Sequence, residues 1–197
     1  MKVVAVVGTY RKGRTIETAV DEALRGAQDA GADVEKILLL DKHIEFCTNC
    51  RACTQIAGAE RGRCVLEDDM GKVLDTLDSA DAYIFASPIN FYTVTALMKR
   101  FIERLVCYGF WPWGTYPKDR IKKGRKKALL ITSSACPAFL GRIAFRQPFS
   151  ILKAGAQCLG AGSFYKLYFG TAAMHPEDTL SDSHKRRAYA AGQKLAG

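Results

Sequence analysis

The stretch KVVAVVGTYRKGRT, Lys2 to Thr15, decides the fold. Lys2–Val7 is a short, continuous, Val-rich apolar run, the pattern of a strand buried on both faces of a parallel sheet. It stops at Gly8. A polar, basic loop follows, Thr9 to Thr15, and then Ile16, Ala19, Val20, Ala23, Leu24 and Ala27 recur at three- and four-residue steps, the period of an amphipathic helix. Strand, glycine-containing loop and helix in that order put helix N-terminal amides where a phosphate can rest. Thr9 and Thr15 add hydroxyls, Arg11 and Arg14 add charge and forked donors, and Gly13 permits a tight turn. The loop is neither a Walker sequence nor the G-x-G-x-x-G dinucleotide fingerprint.

The same alternation continues outward. Gly31 ends the first helix, and Val34–Leu40 reads as the second strand. Asp68 or Asp69 can cap a helix with Met70, Val73, Leu74 and Leu77 on its apolar face. Ala82–Ser87 is the third buried strand, stopped by Pro88, and from Thr95 a helix presents Leu97, Met98, Phe101, Ile102 and Leu105. Lys127–Ser133 is the fourth strand and Ser163–Phe169 the fifth, with helices at Pro148–Leu159 and Asp178–Leu195. Five strands alternating with helices predict a doubly wound parallel sheet of order 2-1-3-4-5, helices on both faces, in one domain. The loops after the first, third and fourth strands then share the carboxyl edge, where open α/β sheets bind their ligands.

Residues 43–69 break the alternation. Cys47, Cys50, Cys53 and Cys64 stand there in the spacing C-x2-C-x2-C-x10-C, four of the chain's seven cysteines. Four thiolates are the ligand set of an iron–sulfur cube. Four in a tetrahedron also suit zinc, although zinc sites usually present two separate C-x2-C pairs. Unliganded thiols on a loop are the third reading. A second interruption, residues 107–125, holds Phe110, Trp111, Trp113 and Tyr116 among prolines, glycines and basic residues. It reads as a lid or interface, or as a surface loop with an aromatic foot in the core.

Composition bounds the rest. The chain has 197 residues, enough for one sizeable core, and 48% hydrophobic residues against 25% charged ones, the balance of a globular domain. No apolar run reaches the length of a membrane span and no signal-peptide pattern opens the sequence, so the expected location is the cytoplasm, where thiols stay reduced. The net charge of +9 is scattered over Arg11–Arg14, Lys118–Lys127 and Lys185–Arg187 without a nucleic-acid motif, which favours phosphorylated small molecules over nucleic acid. His43, His175 and His184 have no evident nucleophile to serve, so no catalytic side chain is assigned.

Gly8-Thr9-x-Arg11-x-Gly13-Arg14-Thr15 resembles the phosphate loop of the flavodoxin-like NADPH-dependent FMN reductase family. Ser87-Pro88-Ile89-Asn90-Phe91, with the helix carrying Leu97, Lys99, Phe101 and Arg104, resembles that family's flavin-ring segment, and Thr132-Ser133-Ser134 its third flavin loop. The cysteine stretch with its Asp68-Asp69-Met70 tail is similar to the family's iron–sulfur flavoprotein branch. The chain differs from the pattern in three places: Asn90 stands where an aromatic is usual, the third loop is Ser-Ser-Ala instead of glycine-rich, and the Cys53–Cys64 gap is longer.

The resemblance implies FMN as cofactor. Thr9, Arg11, Gly13, Arg14 and Thr15 would hold its phosphate, and Pro88, Ile89, Asn90, Phe91, Tyr92 and Thr93 would border its ring. Ser133, Ser134 and Ala135 would reach the pyrimidine edge through backbone groups, while Cys47, Cys50, Cys53 and Cys64 would ligate a [4Fe–4S] cluster. The implied activity is an oxidoreductase passing electrons between cluster and FMN, with NAD(P)H or a protein such as ferredoxin as donor. The implied assembly is a homodimer or homotetramer. Two alternatives keep FMN without a cluster: an NAD(P)H-dependent flavin or quinone reductase, and a flavodoxin-like electron carrier. Flavodoxins are commonly acidic, so the positive charge speaks against the carrier.

Overall fold

The computed structural model describes residues 1–122, 124, 126–172 and 179–197. The chain runs β1 (Lys2–Val7), α1 (Thr15–Asp29), β2 (Asp33–Leu38), α2 (Met70–Asp78), β3 (Ala82–Asn90), β4 (Thr93–Val94) and α3 (Ala96–Arg104). It continues through β5 (Gly109–Phe110), β6 (Lys118–Asp119), β7 (Lys126–Ser133), α4 (Ala138–Ala144), α5 (Arg146–Cys158), β8 (Ala161–Phe169) and α6 (Asp182–Ala196). The main sheet has the order β2-β1-β3-β7-β8, all pairs parallel, with β4 folded back antiparallel on the end of β3. This is the expected doubly wound sheet, β7 and β8 being its fourth and fifth parallel strands.

Burial on both faces explains the apolar strands. Val4, Val6, Tyr83, Phe85, Ala128 and Leu130 face a core closed by α2, α3 and α5. Val3, Ala5, Val7, Ile84, Leu129 and Ile131 face the other, closed by α1 and α6. The stripe predicted for α1 is buried throughout, as are Met70, Val73, Leu74 and Leu77 of α2.

Four of the element boundaries differ from the sequence expectation. β3 does not stop at Pro88 but runs to Asn90. Its pairing with β1 ends at Ala86 while pairing with β7 continues through Pro88–Ser133. Pro88 therefore lies where the strand has a neighbour on one side only, a position that tolerates a residue without an N–H. The helix expected from Pro148 begins two residues earlier, at Arg146, which puts Pro148 in the first turn of α5, where its N–H would have no intrahelical partner. The second strand ends at Leu38, its last residues forming a 3-10 turn at Leu39–Asp41. Asp178, the expected start of the last helix, lies outside the described residues, and α6 begins after the cap of Ser181 on the His184 N–H.

The described part of the aromatic excursion packs onto the rest of the chain. Cys107 and Tyr108 are core residues, and β5 and β6 make a short antiparallel ribbon against the cysteine loop. Among the described residues no helix is long and apolar enough to cross a membrane.

Candidate functional site

Three loops meet at the carboxyl edge of the sheet and wall a cleft of about 290 Å3. Thr9, Arg11, Arg14 and Thr15 line it from the first loop, Pro88, Ile89 and Asn90 from the second, and Ser133, Ser134 and Ala135 from the third. Tyr10, Ile16 and Ala172 also line it and went unnoticed in the sequence. Tyr10 and Ile16 flank assigned residues, and only the fold brings Ala172 near.

The first loop is held from inside. The Arg11 N–H donates to Thr9 Oγ1 at 3.2 Å. Gly13 does not line the cleft. Its φ of +68° makes the turn, and its N–H donates to Glu17 Oε2 at 2.7 Å. Burial alone would raise the Glu17 carboxyl, but Lys36 at 2.8 Å and the Gly13 N–H outweigh it and hold the group below the usual carboxylate range. Arg14 stands at the N-cap of α1, where its side chain makes no cap hydrogen bond.

The second loop is pinned to the first by a buried polar network with no apparent motif. Thr95 Oγ1 donates to the Gly8 carbonyl at 2.6 Å and accepts from the Met98 N–H, and the Thr95 N–H donates to Ser87 Oγ at 3.0 Å. A Cβ on Gly8 would stand 2.7 Å from Met98 Cβ, so only glycine lets α3 approach this closely. Beyond Asn90 the chain turns sharply. Phe91 and Tyr92 have φ of +46° and +63° between the paired residues Asn90 and Thr93, a two-residue hairpin turn of the left-handed kind. Phe91, Tyr92 and Thr93 do not line the cleft, and Phe91 is 98% exposed. In the third loop, Ser134 Oγ is shared with the Tyr168 hydroxyl at 2.6 Å and accepts from the Cys136 N–H. The serine side chain thus fixes the loop.

The second site is a small cavity walled by Cys47, Cys50, Cys53 and Cys64 together, with Arg51 and Arg104. The loop winds round it through left-handed residues Asn49 and Arg51. Gly62 passes so close to the Cys53 carbonyl that a Cβ would meet its oxygen at 1.6 Å. Among the described residues no three His, Cys, Asp or Glu side chains stand in an arrangement that could hold a metal ion. The Cys50 thiol is pulled below its usual range by the Ala52 N–H and the Thr48 hydroxyl, whereas burial and the other three thiols push Cys53 up. Cys107, deep in the core, is pushed up to about 12 by burial.

Long side chains clasp this loop from outside. Arg104 pairs with Asp68, both nearly sealed from solvent. Asp68 also accepts from the Glu45 N–H at 2.8 Å and the Met70 N–H at 3.0 Å. The Arg51 guanidinium lies between the rings of Trp111 and Trp113, 3.8 and 3.9 Å from their centroids, and donates to the Trp111 carbonyl. Arg120 donates to the carbonyls of Cys53, Ile56, Gly58 and Gly109. Of the histidines, His43 lies 2.9 Å from Glu45, His184 packs on Phe169, and His175 lies outside the described residues.

A doubly wound parallel sheet with three loops converging at its carboxyl edge, and a cysteine-lined cavity besides, is the class of α/β domain that the fold and the sites define. The family comparison narrows it: the NADPH-dependent FMN reductase model matches residues 1–165, and the chain belongs to that family. It is 38% identical over 112 residues to an iron-sulfur flavoprotein of Archaeoglobus fulgidus, covering 57% of this chain and 49% of that protein. The chain thus matches about half the length of such curated relatives. Solved structures share the fold at low identity. An FMN-dependent NADH-azoreductase from Bacillus anthracis in complex with FMN superposes with TM-score 0.73 at 16% identity, covering 100% of this chain and 99% of that one. An NAD(P)H:quinone oxidoreductase from Methanothermobacter marburgensis does so with TM-score 0.69 at 20% identity, covering 100% and 98%.

Proposed function

We propose that the chain is an FMN-binding oxidoreductase of the iron–sulfur flavoprotein kind, holding FMN in the edge cleft and a [4Fe–4S] cluster on Cys47, Cys50, Cys53 and Cys64. The observation that carries this is that four cysteines spread over 18 residues wall one cavity. A single zinc ion would need its four sulfurs within about 2.3 Å of one point. Three cysteines in one C-x2-C-x2-C run with a fourth further on are the ligand set of an iron–sulfur cube, whereas zinc sites usually present two separate C-x2-C pairs. The relatives' name, iron-sulfur flavoprotein, supports the same reading.

Arg11 and Arg14 would offset the phosphate charge of FMN, while Thr9, Thr15 and the amino end of α1 supply donors, with Gly13 holding the turn. Pro88, Ile89 and Asn90 would wall the flavin ring, with Phe91, Tyr92 and Thr93 as its outer rim. The backbone of Ser133, Ser134 and Ala135 would meet its polar edge. FMN carries the redox chemistry when bound, and the protein positions and tunes it. α3 links the two sites. Its N-cap Thr95 is bound to Gly8 beside the cleft, and its last residue, Arg104, lines the cysteine cavity. Nine residues span about 13 Å. NAD(P)H or a reduced protein such as ferredoxin would be the donor, in a cytoplasmic homodimer or homotetramer.

The second reading, an NAD(P)H-dependent flavin or quinone reductase without a cluster, is supported by the family's own description, NADPH-dependent FMN reductase. Anaerobic purification with flavin, iron and acid-labile sulfide analysis separates the two. About four irons and four sulfides per chain, lost on Cys50→Ala with FMN retained, are expected. FMN without iron and sulfide would establish the second reading.

A further inference from the structure

The Arg104–Asp68 pair holds the cysteine loop to α3, yet the guanidinium does more than the clasp needs. Nη1 donates to the Glu45 carbonyl at 2.9 Å and to Asp68 Oδ2. Nη2 donates to Asp68 Oδ1 at 3.2 Å and to the Cys64 sulfur at 3.5 Å. One fork therefore joins the backbone just before Cys47, the carboxylate just after Cys64, and the Cys64 thiol itself. The fork is rigid and planar, so the carboxylate that fixes it also aims an N–H at the sulfur. The side chains of Arg104 and Asp68 are 2% and 0% exposed, where water screens little of that interaction.

We infer that Arg104 is a positioning residue for the metal centre, whose N–H···S contact to Cys64 raises the reduction potential of the cluster bound there. The inference rests on the cluster reading of the four cysteines. A cluster that accepts one electron gains one negative charge, part of which resides on its ligand sulfurs. A donor already aimed at one of them stabilises the reduced form more than the oxidised form, and hydrogen bonds to the sulfurs are among the determinants of cluster potential. Asp68 works in the opposite sense. It cancels most of the guanidinium's charge, so the pair acts on the cluster mainly through the directed N–H.

A structural clasp and a tuning contact predict different outcomes. If the pair only holds the loop, every substitution in it loosens the loop in the same sense. If it also sets the potential, removing the directed donor and removing the counter-charge shift the potential in opposite directions. The test is a spectroelectrochemical titration of anaerobically purified wild type, Arg104→Lys and Asp68→Asn, with a chemical reductant supplying the single electron and iron and sulfide counted in each. Lysine keeps the charge but not the fork. Its equilibrium constant for reduction should fall three- to tenfold, about 30–60 mV at 59 mV per tenfold. Asp68→Asn should move the midpoint upward by a similar factor. Midpoints that stay within twofold of wild type, or that shift in the same direction, overturn the inference and leave the cluster reading intact. Loss of the cluster from both variants overturns it in favour of a structural clasp. Wild type without iron and sulfide fails the cluster reading itself.

Discussion

The edge cleft and the cysteine cavity lie at opposite ends of one helix and are built on different principles. The cleft is made by the fold. Its loops leave the ends of β1, β3 and β7, and short buried side chains lock them: Thr95 on Gly8, Ser87 on Thr95, Ser134 on Tyr168. The cavity belongs to a stretch with little regular structure, and long side chains from elsewhere shape it: Arg104 from α3, Arg120 from the ribbon, Trp111 and Trp113 around Arg51. Each site has one buried carboxylate held below its usual range, Glu17 behind the first loop and Asp68 behind the cysteines. Glu17 braces a loop the sheet has already placed. Asp68 anchors a loop that has no strand to follow. A site at a sheet edge is preorganised by topology, whereas a site in a long insertion depends on side-chain clasps from several parts of the chain.

The largest expected effect tests whether the cleft binds through the first loop. Replacing Arg11 and Arg14 together by Ala should weaken FMN binding by about 3–6 kcal/mol, taking about 1.5–3 kcal/mol for each charge-assisted contact. Iron and sulfide content should not change, because neither arginine lines the cysteine cavity. Fluorescence titration of the apoprotein with FMN measures the first and metal analysis the second. Retained affinity would mean that the phosphate sits elsewhere.

A smaller effect is expected from the other side. Gly62→Ala puts a methyl group into the Cys53 carbonyl, and backbone cannot swing away as a side-chain end can. Overpacking of this kind typically costs about 1–3 kcal/mol. The strain falls on the cysteine loop, so the variant should lose the iron and sulfide that the cluster reading assigns to that loop while binding FMN within about twofold of wild type. Joint loss of both would show that the loop and the cleft fold as one unit.

The two sites were unequally legible in the sequence for the same reason. Strand ends, a glycine and a basic turn are local signals, so Thr9, Arg11, Arg14, Pro88 and Ser133 could be assigned before any contact was seen. Ala172 joins the cleft only because β8 lies beside β7. The cysteines were visible as a spacing, but their clasps were not. Arg104 is 36 residues from Asp68, and Arg51 is 60 from Trp111, separations at which no periodicity operates. The aromatic ribbon was ambiguous because its partners, Arg51, Thr54 and Gln55, lie far away in sequence, inside the cysteine motif. Pro88 misled because a proline marks a missing N–H, and only the fold tells whether that N–H had a partner to lose.

The smallest effect concerns the tip of the β3–β4 hairpin, where the cleft's preorganisation ends. Phe91 adopts φ of +46° while 98% exposed, and Tyr92 beside it adopts +63°. A left-handed conformation costs an ordinary L-residue about 1–2 kcal/mol, and asparagine tolerates it far better. An exposed ring gives the isolated chain little packing in return. Phe91→Asn, with the first residue that such two-residue turns prefer, should therefore stabilise the apoprotein by about 0.5–1 kcal/mol, measured by denaturant unfolding. Holoprotein distinguishes two roles for the ring. If Phe91 is only rim, the gain persists and FMN affinity stays within about twofold. If the flavin ring reaches past Asn90 and stacks on Phe91, the gain is offset on binding and affinity falls tenfold or more. In that case the strained turn exists to present an aromatic surface to the cofactor, and the cleft extends beyond the wall formed by Pro88, Ile89 and Asn90.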